Sequence, residues 1–238
     1  MGNDCFRFKQ FTVFHNKCAM KVGTDGVLLG AWSGLAPNGG RILDIGCGSG
    51  LIALILAQKN PNSLLDAVEI NRDCASQAVE NVKNSPYHNR IKVYNDSFQN
   101  FSKSALRYDL IVTNPPYFSK SLLPVLNSRA KARHTESLTH EELLKGVSSI
   151  LNPQGIFSVI IPYDILDYFI SKAVAYCLNP LRLCYVCPTS RSSPKRTLLE
   201  FSFLKKELKT EDLIIEEFGR HKYSEKYISL TKDFYLKF

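Results

Sequence analysis

The middle of the chain alternates short apolar runs with segments whose apolar residues recur every three or four positions. Arg41 to Ile45, Leu64 to Ile70, Ile91 to Tyr94, Asp109 to Thr113 and Ile156 to Ile161 are the short runs, rich in Ile, Val and Leu. Several are apolar on both faces, which predicts central strands of a parallel sheet covered by helices. Between them, Cys74, Ala75, Ala78, Val79 and Val82 share one face of a helix predicted over Asn71 to Asn84. Thr139 and Glu142 have capping-box spacing, and Leu143, Leu144, Val147, Ile150 and Leu151 follow as an apolar face. Pro153 is expected to end that helix.

Strands alternating with helices of this length predict a doubly wound α/β fold. Leu181 to Cys187 and Thr197 to Leu204 are expected to pair as an antiparallel ribbon at the sheet edge. Ile214 to Glu217 and a helix from Ser224 to Phe234 then finish the chain. No repeat, low-complexity tract or linker interrupts the pattern. A single domain is therefore expected over residues 1–238, with residues 1–36 as a short extension ahead of the first central strand.

Composition narrows the class without choosing a function. The hydrophobic share of 45% and charged share of 22% suit a globular domain with a real core, and no stretch is apolar enough for a bilayer span. The first ten residues mix Asp4, Arg7 and Lys9 with aromatics, unlike a secretory signal, so a cytoplasmic location is expected. Seven scattered cysteines argue for reduced thiols. Cys184 and Cys187 form a C-x-x-C, but in a strand residues three apart face opposite ways, so no metal site is expected. A net charge of +8 suits a polyanionic partner such as nucleic acid.

The chemistry begins at Asp44-Ile45-Gly46-Cys47-Gly48-Ser49-Gly50, where the first central strand turns into a helix. Glycines there let the backbone turn sharply and approach a ligand at the carboxyl edge of the sheet. A dinucleotide fingerprint would need Gly or Ala where Leu51 stands. The G-x-G-x-G spacing after an acidic residue instead resembles the first motif of class I methyltransferases, which bind S-adenosylmethionine. Glu69 ends the second strand, where its carboxylate can accept from both hydroxyls of a ribose. The third strand ends in Asn95-Asp96-Ser97-Phe98. Taken singly, Glu69 also suits a helix cap and Asp96 a turn; three acids ending three consecutive strands favour a shared ligand.

Asp109 to Thr113 runs into Asn114-Pro115-Pro116-Tyr117, and prolines cannot continue a central strand. Asn114 thus lies at the strand's carboxyl end, beside the cofactor loop. The tetrapeptide resembles the fourth motif of amino-group N-methyltransferases. An exocyclic amine on adenine is a poor nucleophile because its lone pair is delocalised into the ring. The Asn114 side-chain oxygen and the Pro115 carbonyl can each accept one of its protons, turning the lone pair toward an in-line methyl donor. Pro115 and Pro116 stiffen the loop, and Tyr117 offers a face on which the splayed base can stack.

The segments Phe6 to Phe11 and Cys18 to Trp32, with Tyr223 to Tyr227 and Phe234 to Leu236 near the end, resemble the bacterial tRNA1(Val) adenine N6-methyltransferases. The resemblance runs from Phe6 to Phe238. It implies a mostly parallel, seven-stranded sheet of the class I methyltransferase type, in three α/β/α layers with an antiparallel edge ribbon. It implies N6-methylation of the adenine 3′ of the anticodon, with S-adenosylmethionine as donor and S-adenosylhomocysteine as product. It implies that Lys21, Gly23, Thr24 and Asp25 close over the methionine end of the cofactor, with Asp44 nearby. Asp96 would accept from the cofactor's adenine amino group, with Ser97 and Phe98 lining that pocket. The residues themselves add that Gly23-Thr24-Asp25-Gly26 is a helix-start signature, so a plain cap is the other reading.

RNA contacts are expected from Arg7, Lys9 and Lys17, interleaved with Phe8, Phe11 and Phe14, a pattern that a core aromatic cluster with solvated lysines explains equally well. Arg129, Lys131 and Arg133 after the catalytic loop, and Arg191, Lys195 and Arg196 near a hairpin turn, are further candidates. The expected partner is tRNA, with no membrane, no metal and a monomeric enzyme. Rival substrates are a guanine amino group in ribosomal RNA and a protein glutamine amide, which presents the same two protons. Enzymes of the last kind generally carry a helical domain ahead of the core, for which residues 1–36 are too few. A non-catalytic RNA-binding protein would be expected to have lost Asn114 or the glycine loop.

Overall fold

The computed structural model describes residues 4–115 and 138–237. An N-terminal hairpin, β1 (Cys5–Arg7) with β2 (Thr12–Phe14), precedes α1 (Thr24–Trp32). The alternating part follows: β3 (Arg41–Ile45), α2 (Leu51–Lys59), β4 (Leu64–Glu69), α3 (Arg72–Lys83), β5 (Ile91–Asn95), α4 (Phe98–Phe101) and β6 (Tyr108–Thr113). Then come α5 (His140–Ile150), β7 (Leu151–Pro162), α6 (Leu166–Ala175), β8 (Asn179–Thr189), β9 (Arg196–Ser202), β10 (Lys209–Glu216) and α7 (Glu225–Thr231). Strands β3 to β10 form one sheet in the order β10-β8-β9-β7-β6-β3-β4-β5. Every neighbouring pair is parallel except β9 with its two neighbours.

Strand alternation divides the core in two. Ile42, Leu110, Val112 and Ile160 pack with α1, α2, α3 and α7, while Leu43, Ile111, Phe157 and Val159 pack with α4, α5 and α6. Helices α1 and α2 are apolar around most of their surface and are correspondingly buried. Gly30 lets them approach closely: a Cβ there would stand 2.8 Å from Ile55 Cγ2. Both helices end on cations, as the helix dipole favours. The Lys59 ammonium donates to the carbonyls of Gly30, Ala31 and Ser33, and the Arg90 guanidinium to those of Ala57, Asn60 and Ser63.

The predicted α3 and its neighbours form as expected, with Asn71 capping through bonds from Asp73 and Cys74 N–H. The capping box of Thr139 and Glu142 is complete. Several expectations need correction. The sheet has eight strands, not seven, and the antiparallel β8–β9 pair lies inside it because β10 adds in parallel to β8 at the edge. β10 begins at Lys209, well before Ile214; its charged first half sits exposed on an edge strand, where polar residues are expected, so it lacks an apolar signature. Pro153 does not directly follow a helix end at Leu151: the helix stops at Ile150 and the next strand includes the proline. The β6 pairing jumps from Tyr108–Leu151 to Leu110–Ile156, so Pro153 falls in the irregular stretch where its missing N–H costs no ladder bond. The last helix is also shorter than expected, Glu225–Thr231.

The N-terminal hairpin is fixed to this frame from both ends of the chain. Phe8 bridges to Tyr235, and Phe6, Phe8 and Tyr235 cluster their rings. Asn81 of α3, wholly buried, accepts from the Phe14 N–H and donates to the carbonyls of Phe14 and Ser49. One amide therefore ties the hairpin to the glycine loop.

Candidate active site

A cavity of about 500 Å³ opens at the carboxyl edge of the sheet, within the range of small-molecule sites. The successive strand ends supply its walls: Gly46 and Gly48 after β3, Glu69 and Ile70 at β4, Asp96 and Phe98 after β5, and Thr113, Asn114 and Pro115 at β6. Residues 17–20 close one side. The order β6-β3-β4-β5 places these four ends side by side, which is how residues distant in sequence share one cavity.

The loop after β3 is held open toward that cavity. Gly46 and Gly48 take positive φ of 68° and 53°, conformations that side chains rarely tolerate. A Cβ at either would meet nothing within 4 Å, so the backbone presents a bare cradle. The Glu69 carboxylate, 9% exposed, accepts the N–H of Gly48 at 2.9 Å and of Asn71 at 2.8 Å. Each carboxylate oxygen keeps further acceptor capacity, so the same group can brace the loop and receive a diol. Asp96 Oδ1 accepts from Ser97 N–H at 2.7 Å, and Ser97 itself caps α4 instead of lining the cavity.

Asp44 lies beneath the loop, fully buried and not on the cavity wall. Its Oδ2 accepts from Ala53 N–H at 3.0 Å, at the start of α2, while Oδ1 has no partner among the described residues. Burial pushes its carboxyl up to about 7; the Ala53 N–H opposes that rise and the Glu69 charge adds to it. Lys21, Gly23, Thr24 and Asp25 follow the lining residues 17–20 directly and are themselves not among those lining the cavity. Gly23 precedes α1, and Asp25 accepts from Arg196 Nε at 2.9 Å. Lys17, Cys18, Ala19 and Met20 form that wall.

Asn114 and Pro115 are placed at the cavity by β6, whose end is pinned to β3 by the Thr113 hydroxyl donating to the Ile45 carbonyl at 2.9 Å. Pro116 and Tyr117 lie outside the described residues, as do Arg129, Lys131 and Arg133. Sequence reasoning missed Cys18 and Cys74 on the wall; Cys74 carries only the signal of a helix core position. Burial, a hydrogen bond with Cys74 and nearby negative charge push the Cys18 thiol up to about 12. It is therefore protonated at neutral pH and serves as apolar wall, not as nucleophile.

Of the other basic candidates, Lys9 donates to the Lys232 carbonyl and Lys17 pairs with Glu80, while Arg7 is exposed. Phe8 and Phe11 belong to the core and Phe14 is 41% exposed. Arg191 and Lys195 are exposed at the β8–β9 turn. Among the described residues no three His, Cys, Asp or Glu side chains gather as a metal site, and no helix is long and apolar enough to cross a membrane.

A glycine cradle after the first central strand, acids ending the next two, and Asn-Pro at the end of the fourth, on this sheet, define a methyltransferase of the Rossmann-like class. Residues 26–168 match the methyltransferase small domain. The fold is similar to that of Atu636 from Agrobacterium tumefaciens, described as a predicted O-methyltransferase, with a TM-score of 0.68 at 19% identity over 88% of this chain and 96% of that one. Proteins named tRNA1(Val) (adenine(37)-N6)-methyltransferase are similar over the full length of both chains: 50% identical in Bacteroides fragilis and 44% in Trichodesmium erythraeum. The chain belongs to this tRNA1(Val) (adenine(37)-N6)-methyltransferase family, within the methyltransferase small-domain group.

Proposed function

We propose that this chain methylates N6 of adenine 37 in tRNA1(Val), in the cytoplasm and as a monomer, using S-adenosylmethionine and releasing S-adenosylhomocysteine. The observation that carries the reading is the meeting of Asn114 and Pro115 with Glu69 and the glycine cradle in one cavity. The residues suit the cofactor: a carboxylate with spare acceptor capacity for a ribose diol, a bare backbone at Gly46 and Gly48, and apolar Ile45, Val68, Ile70 and Phe98 to enclose an adenine. When bound, it supplies an electrophilic methyl group on sulfur.

The chain's own work is to present the amine. The Asn114 side-chain oxygen accepts one N–H of the target and the Pro115 carbonyl accepts the other. Two acceptors at that spacing draw the nitrogen out of conjugation with the ring and direct its lone pair into the cavity. Proline at 115 contributes a carbonyl with no competing N–H. Neither acceptor must remove the proton first, because the amine becomes acidic once alkylated and then releases it to solvent. Thr113 acts through Asn114, holding the strand end against β3.

The test is to incubate the purified protein with labelled S-adenosylmethionine and unmodified tRNA, digest the RNA and identify nucleosides by mass spectrometry. N6-methyladenosine is expected, with turnover reduced about 10²- to 10³-fold in Asn114→Ala at unchanged cofactor affinity, the scale of losing one transition-state hydrogen bond. Absence of label in tRNA despite measured cofactor binding would refute the tRNA reading. Ribosomal RNA and protein amides would then be tried.

A further inference from the structure

The register of the sheet raises a wall beside the catalytic asparagine. Thr113, just before Asn114, is level with Val159 of β7, Leu199 of β9, Leu183 of β8 and Thr210 of β10. Strand β6 stops there, but β8 runs on six residues to Thr189 and β10 six residues to Glu216. At about 3.3 Å per residue both strands project roughly 20 Å beyond the level of Thr113 and about 17 Å beyond that of Asn114. Strand β7 continues to Pro162 and delivers Tyr163, 43% exposed, on the strand next to β6. The wall stands three and four strands away, roughly 15 to 20 Å from β6 at normal strand spacing.

Two turns crown this wall. The β8–β9 turn carries Arg191 and Lys195, and the turn after β10 carries Phe218, Arg220 and Lys222. The second turn is well built: Glu217 and Phe218 N–H donate to the Lys222 carbonyl, and Lys222 N–H to that of Gly219. The Ser190 hydroxyl reaches the Glu217 carbonyl at 3.5 Å, bringing the two turns together. Arg191, Lys195, Arg220 and Lys222 are exposed and form no ion pair among the described residues. Phe218, at 68%, is the most exposed large hydrophobic residue described. An ordered turn that holds an aromatic ring in water between unpaired cations has the composition of a single-stranded nucleic-acid contact, cations for phosphates and a ring for a base.

We infer that the two turns crowning β8 and β10 form the RNA-docking surface, gripping tRNA phosphates with Arg191, Lys195, Arg220 and Lys222 and stacking a base on Phe218. This rests on the tRNA reading above and adds where the RNA lies. The strand would run from the wall past Tyr163 to the target adenine at Asn114. The height and distance of the wall, each roughly 15 to 20 Å, span several nucleotides, so the grip falls on RNA flanking the target and not on the target itself.

The experiment compares tRNA affinity, KM for tRNA and cofactor affinity in the wild type, Arg220→Ala/Lys222→Ala, Arg191→Ala/Lys195→Ala and Phe218→Ala. A control, Lys205→Ala/Lys206→Ala, removes the same charge from the loop between β9 and β10, at the amino ends of the parallel strands and so away from the wall's turns. Each wall variant is expected to raise the tRNA Kd at least about fivefold, with cofactor affinity and melting temperature unchanged. The slope of log affinity against log salt should fall by about 0.7 to 0.9 for each phosphate no longer neutralised. Wall variants that behave like the control, with an active wild type, overturn the inference. So does a Phe218→Ala change that alters oligomeric state and not RNA affinity, which would assign the surface to a second copy. A wild type that binds cofactor yet neither binds nor methylates tRNA would instead sink the tRNA reading, and this inference with it.

Discussion

Replacing Glu69 with glutamine changes one oxygen to an amide and removes the charge while keeping the shape. In the wild type the two oxygens accept from two fixed N–H groups, Gly48 at 2.9 Å and Asn71 at 2.8 Å. Whichever way the glutamine turns, its NH2 faces one of those donors, and a side chain only 9% exposed has little water to compensate. One stranded N–H costs about 1–3 kcal/mol of stability. The same amide can no longer accept from one ribose hydroxyl, a charged hydrogen bond worth roughly 1.5–3 kcal/mol, so cofactor affinity should fall roughly 10- to 150-fold. Urea unfolding measures the first quantity and titration calorimetry with S-adenosylmethionine the second. Lower stability with cofactor affinity held within about twofold would make Glu69 a loop brace alone and refute its place at the ribose.

The remaining predictions probe the frame around the site. Asp44, whose buried carboxyl is raised to about 7, is protonated more readily in the folded chain than in the unfolded one. The stability this lends is full below about pH 4 and lost as pH rises through 7, by at most roughly 4 kcal/mol. Asp44→Asn should therefore flatten that part of the decline in urea titrations at pH 5 and 8 of the cofactor-free protein; superimposable pH dependences would contradict a raised Asp44 carboxyl. A Cβ at Gly146 would stand 2.5 Å from Phe98 Cε1, so Gly146→Ala should push that ring toward the cavity and destabilise by about 1–3 kcal/mol, with weaker cofactor binding by calorimetry. Asn81→Ala strands the Phe14 N–H and two carbonyls, and should lower stability by about 2 kcal/mol or more and speed proteolysis near the N-terminus.

Much of the site was legible because its residues mark strand ends. Glycines that need a left-handed backbone, an acid before them and a proline that halts a strand are local signals, and Gly46, Gly48, Glu69, Asp96 and Asn114 all lie on the cavity. The wall made by Cys18, Met20 and Cys74 left no such trace, since lining a cavity and filling a core use the same apolar residue types. Asp44 and Glu69 look alike in sequence, yet only one reaches the cavity. Both lie on the same face of the sheet, but Asp44 is level with Ala67 and covered by the start of α2, whereas Glu69, two residues beyond Ala67 and the last of β4, stands at the open end.

The sequence by itself determined the alternation of strands and helices, because burial on both faces demands apolar runs and a helix face demands its own period. It also determined the glycine loop and the Asn-Pro turn, where backbone chemistry admits few residues. Tertiary structure alone decided the position of β10, since an edge strand exposes polar residues that give no periodic signal. It alone set Lys17 to Met20 on the cavity wall and paired Asp25 with Arg196, a partner 171 positions distant. Register decided the last feature: how far β8 and β10 stand above Asn114 depends on which residues pair across five strands, a relation no single segment encodes.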